Sequence, residues 1–227
     1  MLVKPEASPL VILQPKGPVM FVFDVSDTIP MDGAAPLPRE VTHPFEVREG
    51  RVGRQLPLTM SNAKRDGVAA HERAAGAQGA GSIRRLPRPW QRGEFVTGPK
   101  SKQRAVRISI MYEILLNSAH SAEEKYATLV HELGHLYCGH LGTPDVRRWP
   151  DRQGLGHELR ELEAESVCYL VCERLGLKNP SAEYLSSYVS CHEDMPDISL
   201  DTVMKVAGLI EQMGRSRLPE RKEKHAG

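Results

Sequence analysis

The alternation of apolar and polar residues predicts short strands and one helix in the first half of the chain. Residues 11–13 and 19–25 are apolar runs separated by proline and glycine, which is typical of two antiparallel strands. Residues 106–116 alternate apolar and polar side chains, which indicates another strand. Residues 59–75 are rich in alanine and predict a helix.

Apolar residues recur at helical spacing in the second half of the chain. A helix begins at Ser121, because Glu124 follows it at the spacing of a capping box and an apolar pattern of helical period continues to residue 136. A second helix is predicted over residues 157–175, and two further helices follow it.

The composition is that of a globular chain. With 227 residues, 40% of them hydrophobic, it can bury one good core, with room for a smaller appended lobe. The net charge of +1 argues against a protein that binds nucleic acid over its whole surface. No stretch approaches the roughly 18 apolar residues of a membrane span, and residues 1–6 do not open a signal peptide. We therefore expect a cytoplasmic protein with no membrane partner.

The four cysteines do not indicate a disulfide framework. Cys168 and Cys172 lie one turn apart on a predicted helix, where buried thiols are expected in preference to a metal or redox pair. The other two are Cys138 and Cys191.

Residues 131–140, HELGHLYCGH, contain an arrangement that implies a chemistry. On a helix, His131 and His135 lie one turn apart on the same face, so both imidazoles can bind one metal ion. Glu132 lies beside that pair, where its carboxylate can take a proton from a metal-activated water without binding the metal. The position of this HExxH motif within a predicted helix favours a metal site over two hydrogen-bonded core histidines.

The residues after the motif do not match the metzincin pattern. A metzincin has glycine at the seventh and histidine at the tenth position after the first histidine. Here Gly139 is eighth and His140 is ninth. We therefore assign His140 to a role beside the metal site, either supporting a ligand or contacting substrate, and a third ligand must come from elsewhere.

The predicted helix over residues 157–175 carries a stripe of carboxylates that continues into thiols. Its members are Glu158, Glu161, Glu165, Cys168 and Cys172. A carboxylate on an inward stripe is costly unless a cation meets it, and zinc held by two neutral histidines is such a cation. Glu161 is therefore the predicted third ligand, and Glu165 would orient a ligand histidine. Glu165 and His157 are the alternative ligands. Glu163 is rotated by about 200° from Glu161 on an ideal helix and therefore does not fit the stripe. For the whole stripe, an acidic solvated face is the alternative explanation.

The segments HELGHLYCGHLG and ELEAESVCYLVCERLGL make the chain resemble the ImmA/IrrE-type metallopeptidases. The second segment more closely resembles the metallopeptidase domain of ArdC-like antirestriction proteins. The resemblance implies a zincin-like α+β domain, in which a small antiparallel or mixed sheet packs on the HExxH helix and further helices follow. It also implies that His131, His135 and Glu161 bind Zn²⁺ and that Glu132 is catalytic. By analogy with zincins, the strand predicted over residues 106–116, which leads into the helix of the motif, is expected to line the cleft and to pair with an extended substrate.

On this interpretation the chain has three parts. Residues 1–104 form N-terminal strands, a helix and loops that are part of, or appended to, the catalytic lobe. Residues 105–214 form the zincin-like metallopeptidase core. Residues 215–227 form a charged, disordered tail.

The first functional hypothesis is a zinc-dependent endopeptidase that hydrolyses a protein substrate. The resemblance favours a repressor or regulator of a mobile element or stress response as that substrate. Candidate donors to the oxyanion of the reaction are His140, His157 and Tyr137.

The second hypothesis is a DNA-binding or antirestriction accessory protein in which the zinc site is structural. It rests on the stretch from Arg84 to Arg107, which has eight basic residues, one acidic residue and two interleaved aromatic residues, Trp90 and Phe95. Such a composition suits single-stranded DNA, with charges for phosphates and rings for bases. A solvated loop beside the active site is the simpler explanation of the same stretch.

Overall fold

The computed structural model describes residues 1–12, 20–76, 79–87, 92–98, 100–191 and 197–221, and the fold is mixed α+β. Near the N-terminus, β1 (Leu2–Val3) pairs antiparallel with β4 (Thr28–Ile29), and β2 (Leu10–Ile12) pairs antiparallel with β3 (Met20–Val22). The antiparallel pair predicted at residues 11–13 and 19–25 is therefore present with different bounds. Its connection, residues 13–19, lies outside the described residues.

Two helices precede the main sheet, α1 (Arg39–Thr42) and α2 (Gln55–Ala63). The helix predicted over residues 59–75 is wrong in its second half, because the chain turns at Gly67 and continues as β5 (Val68–Arg73). Gly67 has a φ of 77°, which favours glycine, and a Cβ there would lie 2.7 Å from the carbonyl oxygen of Ser109. Pairing within the sheet overrides the helix propensity of the alanines that follow.

The main sheet has three strands in the order β5-β9-β6. The central strand β9 (Tyr112–Asn117) runs parallel to β5 and antiparallel to β6 (Gly81–Arg85). Among the described residues, β6 is thus an outer strand of this sheet.

The single strand predicted over residues 106–116 is two strands in the structure. The chain leaves β8 (Arg104–Ser109), which pairs antiparallel with β7 (Arg92–Thr97), and then enters β9. Between them, the N–H groups of Met111 and Tyr112 both donate to the Gly67 carbonyl, at 2.8 and 3.0 Å. This shared acceptor interrupts the strand. The alternation of apolar and polar residues continues through the same positions, so the sequence pattern did not indicate the break.

Further along the described part of the chain lie α3 (Ala122–Tyr137), α4 (His157–Leu175), α5 (Ser181–Cys191) and α6 (Leu200–Arg215). The predicted capping box is present, because the Ser121 hydroxyl accepts from the Glu124 N–H at 3.2 Å and the Glu124 carboxylate accepts from the Ser121 N–H at 2.7 Å. α4 ends, as predicted, at Gly176 in the left-handed conformation. No helix among the described residues is long and apolar enough to cross a membrane.

α3 is the central helix of the fold. It contacts β6 and β9 of the sheet and also packs against α2, α4 and α6. The core that results includes Ile114, Leu116, Leu129, Leu133, Leu136, Ile210 and Met213. Burying each such side chain contributes roughly 1.5–3 kcal/mol, so packing on several sides holds α3 in place.

Three cysteines, Cys138, Cys168 and Cys172, are free and buried. The sulfur atoms of Cys168 and Cys172 lie 4.0 Å apart. The prediction of buried thiols holds for these three, and the side chain of Cys191 lies outside the described part of the chain.

The C-terminal segment is packed where a disordered tail was predicted. Leu218 is buried, and its N–H donates to Asn62 Oδ1 at 3.0 Å. Arg221 forms an ion pair with the fully buried Asp66. The prediction for residues 215–227 is therefore wrong as far as residue 221, because buried polar groups of the body take their partners from this segment. Residues 222–227 lie outside the described residues.

Candidate metal centre

His131 and His135 project from α3 toward a common point. Their Nε2 atoms lie 3.1 Å apart. The separation follows from the helix, which places residues four apart on one face. Both side chains are partly buried, so they are held by packing and still open to a cavity.

Glu161 reaches this point from α4. Its two carboxylate oxygens lie 3.6 Å from His131 Nε2 and 3.5 Å from His135 Nε2. α3 and α4 come close together because Gly134 has no side chain, and a Cβ there would lie 3.2 Å from the Cα of Ala164. The glycine of the motif thus allows the approach that brings the carboxylate to the histidines.

The three side chains fit one tetrahedral zinc ion. The two Nε2 atoms are 3.1 Å apart, and each has one oxygen of Glu161 nearby, Oε2 at 3.6 Å from His131 and Oε1 at 3.5 Å from His135. Two ligand atoms of a tetrahedral zinc are about 3.3 Å apart when each lies about 2.05 Å from the metal. No fourth histidine, cysteine or carboxylate joins this group in the part of the chain that is described. Three protein ligands with room for water are typical of catalytic zinc sites, whereas structural sites usually have four.

Glu165 lies on the far side of the His131 ring. Its Oε2 is 2.8 Å from His131 Nδ1. When Nδ1–H donates to this carboxylate, the lone pair on Nε2 is directed toward His135 and Glu161. Burial lowers the pKa of His131, but the neighbouring carboxylates of Glu161 and Glu165 outweigh burial and raise that pKa well above its usual value. A metal ion therefore competes with a proton for this nitrogen.

Glu132 is buried beside the three donors. Burial is the main influence on this carboxyl and raises its pKa to about 7, against opposing effects of the His131 charge and a hydrogen bond from the Ile83 backbone. A group with a pKa near neutrality can both accept and return a proton at physiological pH. Glu132 and the three donor residues line the same cavity.

His140 lies behind His135 in a buried hydrogen-bonded group. Its Nδ1 is 3.0 Å from His135 Nδ1, and its Nε2 is 2.9 Å from Glu163 Oε2. Arg152 donates to both oxygens of Glu163, at 2.6 and 2.7 Å. Burial lowers the pKa of His140. Burial opposes the charge on Glu163, but hydrogen bonds from His140 and Arg152 outweigh it and hold the pKa of Glu163 at about 2.

The three candidate oxyanion donors occupy different surroundings. Tyr137 is fully buried and donates its hydroxyl to Asp66 at 2.9 Å. His140 has partners at both ring nitrogens, as described above. His157 is 78% exposed, and its Nδ1 lies 3.5 Å from Glu161. Of the three, only His157 has a side chain open to an incoming substrate.

The donor residues open into a cavity of about 740 Å³. Residues 81–83 of the outer strand β6 form one wall, and α3, α4 and the start of α5 form the others. Arg160 also lines the cavity, and its Nε is buried without a hydrogen-bond partner among the described residues. The strand along the cavity is β6, so the expectation that the strand over residues 106–116 lines the cleft is wrong. β9, which contains residues 112–116, lies between β5 and β6 at the centre of the sheet.

A comparison with known protein families finds one family model that matches this part of the chain. Residues 85–171 match the Peptidase_M78 family model. That model is described as an IrrE N-terminal-like domain, and the match supports the ImmA/IrrE-type resemblance. It points to a metallopeptidase-type function, which implies a metal, commonly zinc. No match was found among curated proteins or among solved structures.

The Peptidase_M78 region contains two site residues that sequence reasoning missed, Glu163 and Arg152. The rotation of Glu163 away from Glu161 was interpreted as placing it off the functional stripe, and in the structure the same rotation directs it toward His140. Arg152 lies in a loop without periodicity, so no spacing indicated its contact. A signal was nevertheless present in the sequence. Glu163 lies between the apolar residues Leu162 and Ala164, and burying a carboxylate costs free energy unless a cation or a hydrogen-bond donor meets it.

The basic stretch from Arg84 to Arg107 is partly neutralised and partly buried. Arg84 donates to Glu113 at 2.8 Å, and Arg104 pairs with a glutamate of the C-terminal segment. Phe95 is fully buried, so its ring is not available to stack on a base. Arg88 and Trp90 lie outside the described residues.

Proposed function

We propose that this chain is a zinc-dependent endopeptidase of the zincin type that hydrolyses a peptide bond in a protein substrate. The observation that carries the proposal is the convergence of His131, His135 and Glu161, with the buried carboxyl of Glu132 beside them in one cavity. The Peptidase_M78 match over the same residues supports this assignment.

Contact geometry supports Glu161, not Glu165, as the third ligand. Glu161 approaches the Nε2 atoms of both histidines, whereas Glu165 contacts Nδ1 on the opposite edge of His131. A carboxylate that accepts from Nδ1–H orients the ring and increases the basicity of the ligand nitrogen. His157 also lies beside Glu161, but its side chain is exposed and less held by packing than either histidine of α3. It is therefore a weaker candidate for the third ligand.

Glu132 is the proposed general base. When bound, zinc supplies Lewis acidity that lowers the pKa of a coordinated water toward about 7 and polarises a carbonyl. Glu132 accepts the proton from the attacking water and returns it to the leaving amine, and its raised pKa suits both transfers. His157 and Arg160 line the cavity as donors available to the carbonyl oxygen or to a substrate carboxylate.

An extended substrate would pair with β6. The outer edge of β6 lies against the cavity through residues 81–83, and backbone hydrogen bonds to such an edge hold a peptide without regard to its side chains. Closeness to ArdC-like proteins, and a regulator of a mobile element or stress response as substrate, are further parts of the proposal. They are supported by the resemblance of the segment ELEAESVCYLVCERLGL to that group of proteins.

A Glu132→Gln variant tests the proposal. We expect it to keep one zinc per chain while hydrolysis of a proteome-derived peptide library, measured by mass spectrometry, falls by roughly 10²–10⁴-fold. Glu158→Gln, which removes an exposed carboxylate of α4 outside the cavity, is the matched control and should cleave normally. Undiminished cleavage by zinc-loaded Glu132→Gln would defeat the proposal.

A further inference from the structure

His140, Glu163 and Arg152 form a hydrogen-bonded chain that ends on the metal-site histidine His135. Each link is short: 3.0 Å from His135 Nδ1 to His140 Nδ1, 2.9 Å from His140 Nε2 to Glu163, and 2.6 and 2.7 Å from Glu163 to Arg152. The side chains of His140 and Glu163 are each 1% exposed. Water therefore does not substitute for any partner at the centre of this chain.

The direction of each hydrogen bond follows from its charged end. Arg152 can only donate, and the Ser199 backbone N–H donates a further bond to Glu163 at 2.9 Å, so Glu163 is an ionised acceptor. His140 must then carry its proton on Nε2. Its Nδ1 is left as an acceptor, which requires the proton of His135 on Nδ1. The Nε2 of His135 consequently has a free lone pair facing the metal site.

We propose that the His140–Glu163–Arg152 chain is a positioning relay that fixes His135 in its metal-binding tautomer and orientation. The inference rests on the proposed zinc site. It assigns to His135 the support that Glu165 gives directly to His131, because in both rings Nδ1–H is held and Nε2 is free.

The local sequence explains how His140 reaches this position. Gly139 has a φ of 88°, and a Cβ there would lie 2.2 Å from the carbonyl oxygen of Pro150. The turn at Gly139 brings His140 back over α3, where its N–H donates to the carbonyl of His135 at 3.0 Å. The Gly139 carbonyl also accepts from the Arg152 N–H at 2.9 Å, which anchors the loop that supplies the guanidinium.

A second metal ion is the competing explanation, because Cys138, His140 and Glu163 place donor atoms within 4.8 Å of one another. The guanidinium of Arg152 occupies both oxygens of Glu163, and a cation there would face a cation. Burial raises the pKa of the Cys138 thiol to about 12, which disfavours the thiolate a metal requires. The relay therefore predicts one zinc per chain.

Zinc affinity tests the relay independently of peptidase activity. Full-length variants are titrated with zinc against a chromophoric chelator, and their folding is checked by circular dichroism and thermal unfolding. His140→Leu and Glu163→Gln should each weaken zinc binding by about 10–100-fold. His140→Gln, which can accept from His135 and donate to Glu163 through its amide, should restore most of the affinity. The control is Tyr137→Phe, which removes a buried hydrogen bond from α3, the helix of His135, but does not touch the relay. It should leave zinc affinity unchanged.

Histidine nitrogen NMR of the zinc-loaded wild-type protein keeps the test decisive if a variant fails to fold. The relay predicts a proton on Nε2 of His140 and on Nδ1 of His135. A proton on Nδ1 of His140, wild-type zinc affinity in both His140→Leu and Glu163→Gln, or two zinc ions per chain would overturn the relay and leave the peptidase proposal standing. A wild-type protein that binds no zinc would overturn the peptidase proposal and the relay with it.

Discussion

At the scale of single residues, two glutamates one turn apart on α4 have separate tasks. Glu161 faces the Nε2 atoms of both histidines, and Glu165 holds the opposite edge of one ring. Burial raises the pKa of Glu165, but His131 and, to a smaller extent, Ser181 at the start of α5 outweigh burial and lower that pKa. Removing the first should remove a ligand, whereas removing the second should only loosen one.

We therefore predict different outcomes for Glu161→Ala and Glu165→Ala. Glu161→Ala should lose zinc during purification, because two imidazoles alone bind the ion weakly. Glu165→Ala should retain zinc with affinity weakened by about 10–100-fold. Metal analysis by plasma mass spectrometry and chelator competition measures both. Retained stoichiometry in Glu161→Ala together with loss in Glu165→Ala would reverse the assignment.

The juxtaposition of His131 and His135 could be predicted from sequence because helical spacing is a local property. Residues four apart on one helix share a face whatever surrounds them, so His131 and His135 followed from position alone. Glu163 contacts a histidine in the turn after α3 and an arginine from a loop. Such contacts depend on how separate elements pack, and no local pattern records them.

At the scale of elements, the approach of α3 to α4 decides whether the site forms. Gly134 lies against Ala164, and both are fully enclosed by the two helices and the core. Close packing at this crossing shortens the distance that the Glu161 side chain must span. The same dependence on packing explains the error over residues 59–75, where sheet pairing decided the outcome and helix propensity did not.

We predict that Gly134→Val separates the two helices. The added methyl groups would meet the backbone of Ala164, and overpacking of this kind costs roughly 1–3 kcal/mol of unfolding free energy. Zinc affinity should fall as well, because Glu161 moves with α4. Urea unfolding and zinc titration measure the two effects. The control is Gly208→Ala on α6, where a Cβ meets nothing within 4 Å and stability should not decrease.

At the scale of the whole molecule, the distribution of charge bears on the DNA-binding alternative. The net charge is +1, and two arginines of the basic stretch are paired with glutamates. We predict little binding to a labelled single-stranded oligonucleotide at physiological salt, measured by fluorescence anisotropy. Micromolar binding that weakens steeply as salt rises would instead favour the second hypothesis, because phosphate contacts release counterions.

The C-terminal segment closes the body on the side of Tyr137. Asn62 donates to the carbonyls of Met213 and Ser216, at 2.7 and 2.8 Å, and accepts from the Leu218 N–H. Arg221 meets the buried carboxylate of Asp66, which also accepts from the Tyr137 hydroxyl. The end of the metal helix and the end of the described chain thus share one buried acceptor.

We predict that Arg221→Ala destabilises the protein while sparing the metal site. Asp66 is fully buried and, among the described residues, would retain Arg65, at 3.2 Å, and Tyr137 as partners, so the loss should be about 1–3 kcal/mol of unfolding free energy. Zinc affinity should change little, because Tyr137 donates away from the histidines of α3. Exposed Arg217→Ala is the matched control and should be neutral. A neutral Arg221→Ala in thermal and urea unfolding would show that the ion pair does not hold this segment against the body.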